Sequence, residues 1–399
     1  MSPRAPVLAA SLALAACDPP IVDDAPCAAV ASLAPIAGPP ALTTPCSGPV
    51  ADPGHLLITT TDFATGAVSL LDLRTHTITP DLALGSTDAV PFFQDDRAYV
   101  LHRFMIDALD VLAPDSLALL GQVGLTVADI PSTNPHALAF AGDRAYVTLF
   151  AAPALQVLDL ADPTNIRVEA PIDLCPLADA DGNPEASLIL RCGDTLFVSV
   201  QRLDRDHGFA LTGDHDHLAA IDRTTGRLHD LDQGTPGVQP LPLLGPWAKQ
   251  WRIDPQDPRG HTILVLSSGL ERVDLATHTV TWAVPPERLT SLGVTDYRQP
   301  QAFDITAEHL YLATYTADFA DVLLARVSLT TDAEPERIAD GLQSVEHTLE
   351  VVGDTLWFGD RSHARAGMRA WDLTVSPPAP RFAQPLSTGL APYSLVAIP

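Results

Sequence analysis

Histidine and carboxylate side chains crowd the stretch Gln201–His217, which reads Q-R-L-D-R-D-H-G-F-A-L-T-G-D-H-D-H. Neutral imidazole and carboxylate are ligands for zinc, copper, nickel or iron, and in an extended segment His215 and His217 project to one side. With His207 returning across the loop, they form a candidate site for a divalent transition metal, completed or oriented by Asp214 or Asp216. A solvated surface loop is the competing reading, because spacing alone sets no geometry. A second acidic run, Asp179-Ala180-Asp181-Gly182-Asn183, matches the opening of a calcium loop, but its twelfth position, where glutamate is expected, is Leu190. The sequence has no G-x-S-x-G, no H-E-x-x-H, no phosphate loop and no C-x-x-C-H. Glu346 and His347 could serve as acid and base, yet neighbours on a strand point to opposite faces.

The elements that must position these residues are short. Pro135–Leu160 contains P-H-A-L-A-F, then A-G-D-R, then A-Y-V-T-L, then L-Q-V-L-D-L. Such runs are too short for helices and rich in residues that suit strands. The middle strand recurs seven times, beginning near residues 55, 97, 144, 195, 262, 309 and 355. Each copy is followed by a strand ending near an Asp-Leu-like pair, as in V-S-L-L-D-L at 68–73, and its aspartate is expected to cap the next turn. Most are preceded by a strand opened by proline, which needs no ladder donor there. No opening strand precedes His55, while a surplus one, Pro392–Ile398, ends the chain. A closed ring follows if that C-terminal strand becomes the innermost strand of the first unit, removing free edges. The expectation is all-β: a seven-bladed β-propeller over 52–399, with almost no helix.

Composition bounds the partners. The chain is 46% hydrophobic and 18% charged, ample for a packed core, and its net charge is -26 with Lys249 as its one lysine. Phosphates would be repelled, which argues against nucleic acid. Residues 1–16 carry Arg4 and then a short apolar run, as in a secretory signal peptide. The run ends in Leu14-Ala15-Ala16-Cys17, which resembles the bacterial lipobox and implies lipidation of Cys17 and a bilayer anchor. Residues 17–51 are Pro- and Ala-rich and read as a tether. In an oxidising compartment the remaining cysteines would pair, most economically as Cys27–Cys46 and Cys175–Cys192.

The repeats resemble the bacterial YVTN-type seven-bladed β-propellers, related to lactonase-like and WD-type folds. A-Y-V at 98–100 and 145–147 with V-L-D-L at 157–160 carries the likeness, which covers about residues 55–399. It implies that the starts of the inner strands and the loops after the second strands share one face. Phe92, His136, Glu185, Trp247, Gln301, Glu346 and Tyr393 would then ring the channel mouth, overhung by Arg361 and His363. The expected function is a lipid-anchored envelope module that binds a protein or small ligand on this face. The alternative is a lactonase- or lyase-like or metal-dependent enzyme using His136, Glu185, Gln301 and Glu346.

Overall fold

The computed structural model describes residue 27, residues 32–48, and residues 52–399 apart from 206, 296–299, 317, 345–347 and 364. Seven antiparallel sheets of four or more strands stand around a channel, and two short 3-10 helices are the only helical segments among the described residues. The innermost strands are Pro392–Ile398, Val90–Gln94, Pro135–Ala141, Ala186–Cys192, Gln250–Ile253, Pro300–Ile305 and Leu349–Val352, numbered here as blades one to seven. The ring closes as expected: Pro392–Ile398 pairs antiparallel with His55–Thr60, with His55 opposite Ile398 and Ile58 opposite Leu395.

Second strands are buried on both faces because each blade packs against two neighbours. Leu56, Leu57 and Ile58 have no exposure, and Leu56 and Ile58 pack towards blade seven while Leu57 packs towards blade two. This explains their continuous apolar runs, where a sheet with one wet face would alternate. The threonine of the Y-V-T triplet is buried too: Thr148 Oγ1 accepts from Ala137 N at 2.9 Å and donates to Ser187 O at 2.7 Å in the next blade. That hydroxyl fills the register shift where the inner strand enters at Pro135. The capping aspartates behave as expected. Asp72 and Asp222 each accept two backbone N–H groups in the turn that follows, and Asp274 does the same.

The disulfides correct the sequence reading. Cys27 pairs with Cys175 and Cys46 with Cys192, so neither Cys27–Cys46 nor Cys175–Cys192 forms. The reason lies in residues 32–48, expected as part of a spacer, which are laid across blade four. Ile36–Ala37 pairs parallel with His229–Asp230, Arg227 donates to Ala34 O and Pro35 O, and Ser47 N donates to Arg191 O. Once the segment runs along the blade, Cys46 meets Cys192 of blade four, and Cys27 meets Cys175 in the connection from blade three to blade four. Local economy in sequence was outweighed by a strand pairing that no periodicity announces. Cys17, expected to carry lipid, lies outside the described residues.

Candidate functional site

The channel holds a cavity of about 290 Å³ lined by inner strands. Its walls are mostly apolar, with Phe92, Leu138, Leu188, Trp251 and Val396, and Ser47 and Gly48 of the N-terminal segment contribute as well. His136, Gln94, Gln250 and Arg191 also line it, and one ionic network stands out. Arg252 Nε donates to Asp304 Oδ1 at 2.9 Å and its Nη2 donates to Glu350 Oε2 at 3.1 Å, while Asp304 Oδ2 accepts from Val351 N. Burial, with the Asp304 charge second, pushes Glu350 up to about 8, against the pull of Arg252. A larger cavity, about 400 Å³, lies under the N-terminal segment between blades three and four, away from the channel mouth.

Among the polar residues expected at the mouth, His136, Glu185, Tyr393 and Arg361 are each tied to neighbouring groups of the chain. His136 lines the channel, stacks on Phe150 at 4.4 Å and meets Ser187 Oγ at 3.3 Å. Glu185 is fully buried: it accepts from Arg205 Nε at 2.7 Å, Leu203 N at 2.9 Å and Asn183 Nδ2 at 2.5 Å, and burial still pushes it up to about 7. Tyr393 Oη accepts from Arg103 at 2.6 Å. Arg361 donates to three carbonyls, of Ala391, Pro392 and Thr61, and lies 4.6 Å over the Phe63 ring. Trp247 sits in the loop ahead of its strand with φ 62, Gln301 lies in the inner strand of blade six, and His363 is exposed. Glu346 lies outside the described residues, as does His347.

The histidine loop is gathered in part. His215 and His217 face one another with ring centroids 4.9 Å apart, as the alternation rule expects. His207 is exposed and bonded to Asp204 at 2.7 Å. Among the described residues no third histidine, cysteine or carboxylate joins the pair at ligand spacing, which leaves it short of a tetrahedral set. Burial holds His217 down at about 4, and its Nδ1 has no hydrogen-bond partner.

What the face presents instead is apolar. The loop between second and third strands carries Phe63 in blade one, Phe104, Met105 and Ile106 in blade two, Phe209 in blade four and Phe319 in blade six, all exposed. Phe63, Met105, Phe209 and Phe319 are 63%, 66%, 48% and 52% exposed, and each has positive φ, between 57° and 71°. Left-handed backbone costs a β-carbon-bearing residue roughly 1–2 kcal/mol, and a bulky side chain there is unusual. Phe63 packs under Arg361, Phe209 lies beside Phe150 and Phe319 beside Tyr315, yet each of these rings keeps about half or more of its surface exposed. These loops are nevertheless held by side chains that take their backbone N–H groups: Thr61 Oγ1 accepts from Phe63 N, Asp88 from Phe104 N, Ser132 Oγ from Met105 N, Glu185 from Leu203 N and Asp318 from Ala320 N. Buried carboxylates fasten adjoining backbone at the same end. Asp107 accepts from Thr133 N and Asn134 N, Glu185 from Leu203 N, Glu271 from Leu244 N and Gly245 N, Asp216 from Ala248 N, and Asp360 from Gln343 N and Ser362 N. Burial raises Glu271, and it raises Asp216 to about 7. Part of the acidic composition is therefore internal fastening. The signal missed in the sequence was an aromatic or methionine at loop positions where turns normally place Gly, Asn or Asp, as in D-F at 62–63 and 318–319.

These features define a seven-bladed β-propeller with an apolar loop face. In structure it is similar to a candidate 6-phosphogluconolactonase from Bacteroides fragilis, with TM-score 0.56 and 12% identity over 88% of this chain and 100% of that one. It is similar also to a protein from Lactobacillus plantarum, with TM-score 0.57 and 13% identity over 87% and 100%. The periplasmic gluconolactonase of Pseudomonas aeruginosa gives TM-score 0.55 and 14% identity over 86% and 99%. At such identities the likeness establishes the fold. No family model matches the chain, and no curated protein matches it by sequence. The two disulfides accord with an extracytoplasmic compartment.

Proposed function

We propose that this protein is a binding module of the bacterial envelope, held to the bilayer by lipid on Cys17, that takes a partner protein on its loop-bearing face. One observation carries the reading: large apolar side chains are held exposed, in strained backbone, on loops whose backbone N–H groups are taken by neighbouring side chains. Preorganised loops lower the ordering cost of association, and exposed aromatic anchors supply buried area once a partner covers them. A lactonase or lyase site at the mouth is less well supported, since Glu185, one of the four residues it would use, is engaged with Asn183, Leu203 and Arg205. The net charge of -26 favours a partner whose contact surface is apolar with a basic rim.

The test is a double variant, Met105→Gly with Phe209→Gly, in the lipidated protein. Glycine suits both backbone positions, so the melting temperature is expected to hold or rise, while recovery of cross-linked partner falls at least tenfold. Unchanged cross-linking would contradict the reading. So would hydrolysis of aldonolactones above the buffer rate that is lost in Glu185→Gln. For the anchor, Cys17→Ala is expected to move the protein from the membrane pellet to the soluble fraction.

A further inference from the structure

The loop Asp179–Glu185, D-A-D-G-N-P-E, connects blade three to blade four and begins four residues after the disulfide-bonded Cys175. Its twelfth position lacks the acid of a calcium loop, but the folded chain brings another one. Asp179, Asp181 and Glu185 each offer an oxygen, and these atoms all lie within 4.8 Å of one another. Oxygens on opposite sides of a calcium ion at ordinary bond lengths are about 4.8 Å apart, so the cluster has the right span.

A second observation is independent of the carboxylates. Asn183 is 2% exposed, and its Nδ2 donates to Phe150 O at 2.9 Å and to Glu185 Oε1 at 2.5 Å. Those two acceptors fix the orientation of the amide and hold it against Glu185, which leaves Oδ1, across the same amide group, buried without a donor. Asp179 Oδ2 is likewise buried without a donor. A buried carbonyl and a buried carboxylate oxygen left bare in one short loop call for a positive ligand, because the desolvation of each is otherwise uncompensated. Local charge agrees. Arg205 is committed to Glu185 and to the carbonyls of Phe150 and Ala151, and Arg202 to Leu177 O, so three carboxylates face two guanidinium groups.

We propose that Asp179, Asp181, Asn183 Oδ1 and Glu185 form a binding site for a hard divalent cation, best matched by calcium. An all-oxygen set that includes an amide carbonyl disfavours zinc and copper, and an irregular arrangement of loop ligands suits the variable coordination of calcium better than the strict octahedron of magnesium. The consequence reaches the loop face. Asp181 Oδ2 accepts from Arg205 N at 3.1 Å and Glu185 from Leu203 N, so a bound ion ties this loop to the one that carries Phe209.

The experiment uses the full disulfide-bonded protein, stripped with EDTA and then given calcium chloride at about 10 mM, an excess over the ~10⁻⁴–10⁻³ M constants of extracellular calcium modules. The melting temperature is expected to rise by about 2–3 °C, and less with magnesium. In Asp179→Asn the calcium response disappears, while without metal its melting temperature equals or exceeds that of wild type because two crowded carboxylates become one. Should that variant not fold, Asp181→Asn serves in its place. No shift in wild type, or the same shift in the variant, would overturn the proposal.

Discussion

The two ends of the ring solve the same geometric problem with opposite residues. At the end away from the channel mouth, the tight turns that need left-handed backbone use Asp95 and Asp96, His76, His278, and glycines such as Gly142 and Gly193. Leu117 is the bulky residue there, and it is buried. Across the mouth the same backbone region holds Asp107, Asn134, Gly182 and Gly208 too, but beside them stand Phe63, Met105, Phe209, Trp247 and Phe319, four of these five exposed. Both ends belong to the same seven blades, so the fold does not impose the difference. One end is built as turns are built for stability. The other accepts backbone strain and exposed apolar area, which stability alone would select against.

The comparison can be broken first at the closure on which both ends depend. Deleting 391–399 strips Leu395, Ala397 and Ile398 from the core at about 1.5–3 kcal/mol for each large side chain, and frees two sheet edges. Cooperative unfolding is expected to vanish in a calorimeter, and an unchanged transition would refute the cross-terminal strand. Next in size is the N-terminal fastening on blade four. Replacing Cys46 and Cys192 together by serine opens a loop with sequence separation 146 and is expected to cost about 2–4 kcal/mol. Peptide mapping without reduction should recover Cys27 with Cys175 and Cys46 with Cys192.

A smaller effect belongs to the channel between the two ends. Because Glu350 is pushed up to about 8 by burial and by Asp304, the folded state keeps a proton that the unfolded chain releases near 4.5. Stability therefore falls as pH rises between those values, since the native state binds more protons there. Glu350→Gln is expected to flatten that slope in melting curves, and an unaltered slope would move the proton elsewhere in the network.

What could be read in the sequence follows physical range. Blades, turns and closure were legible because strand period, turn residues and the surplus strand Pro392–Ile398 are local signals. The disulfide partners were not, because the pairing of Ile36–Ala37 with blade four has a two-residue signal. The mouth residues were legible by position and not by role. Glu185 was found, but its burial under Leu203 and Arg205 depends on a loop whose course no spacing gives. The acidic run at 179–183 was visible, and its closure by Glu185 rather than by the twelfth residue needed the folded backbone.

The central claim is that the loop-bearing end, and not its opposite, meets the partner. A photo-reactive amino acid at Phe104, 61% exposed, and another at Thr225 in a capped turn of the opposite end, measures this in intact envelopes. The account predicts higher-mass adducts from position 104 that are absent at position 225. Adducts from position 225 alone, equal yields from both, or none from either would contradict it.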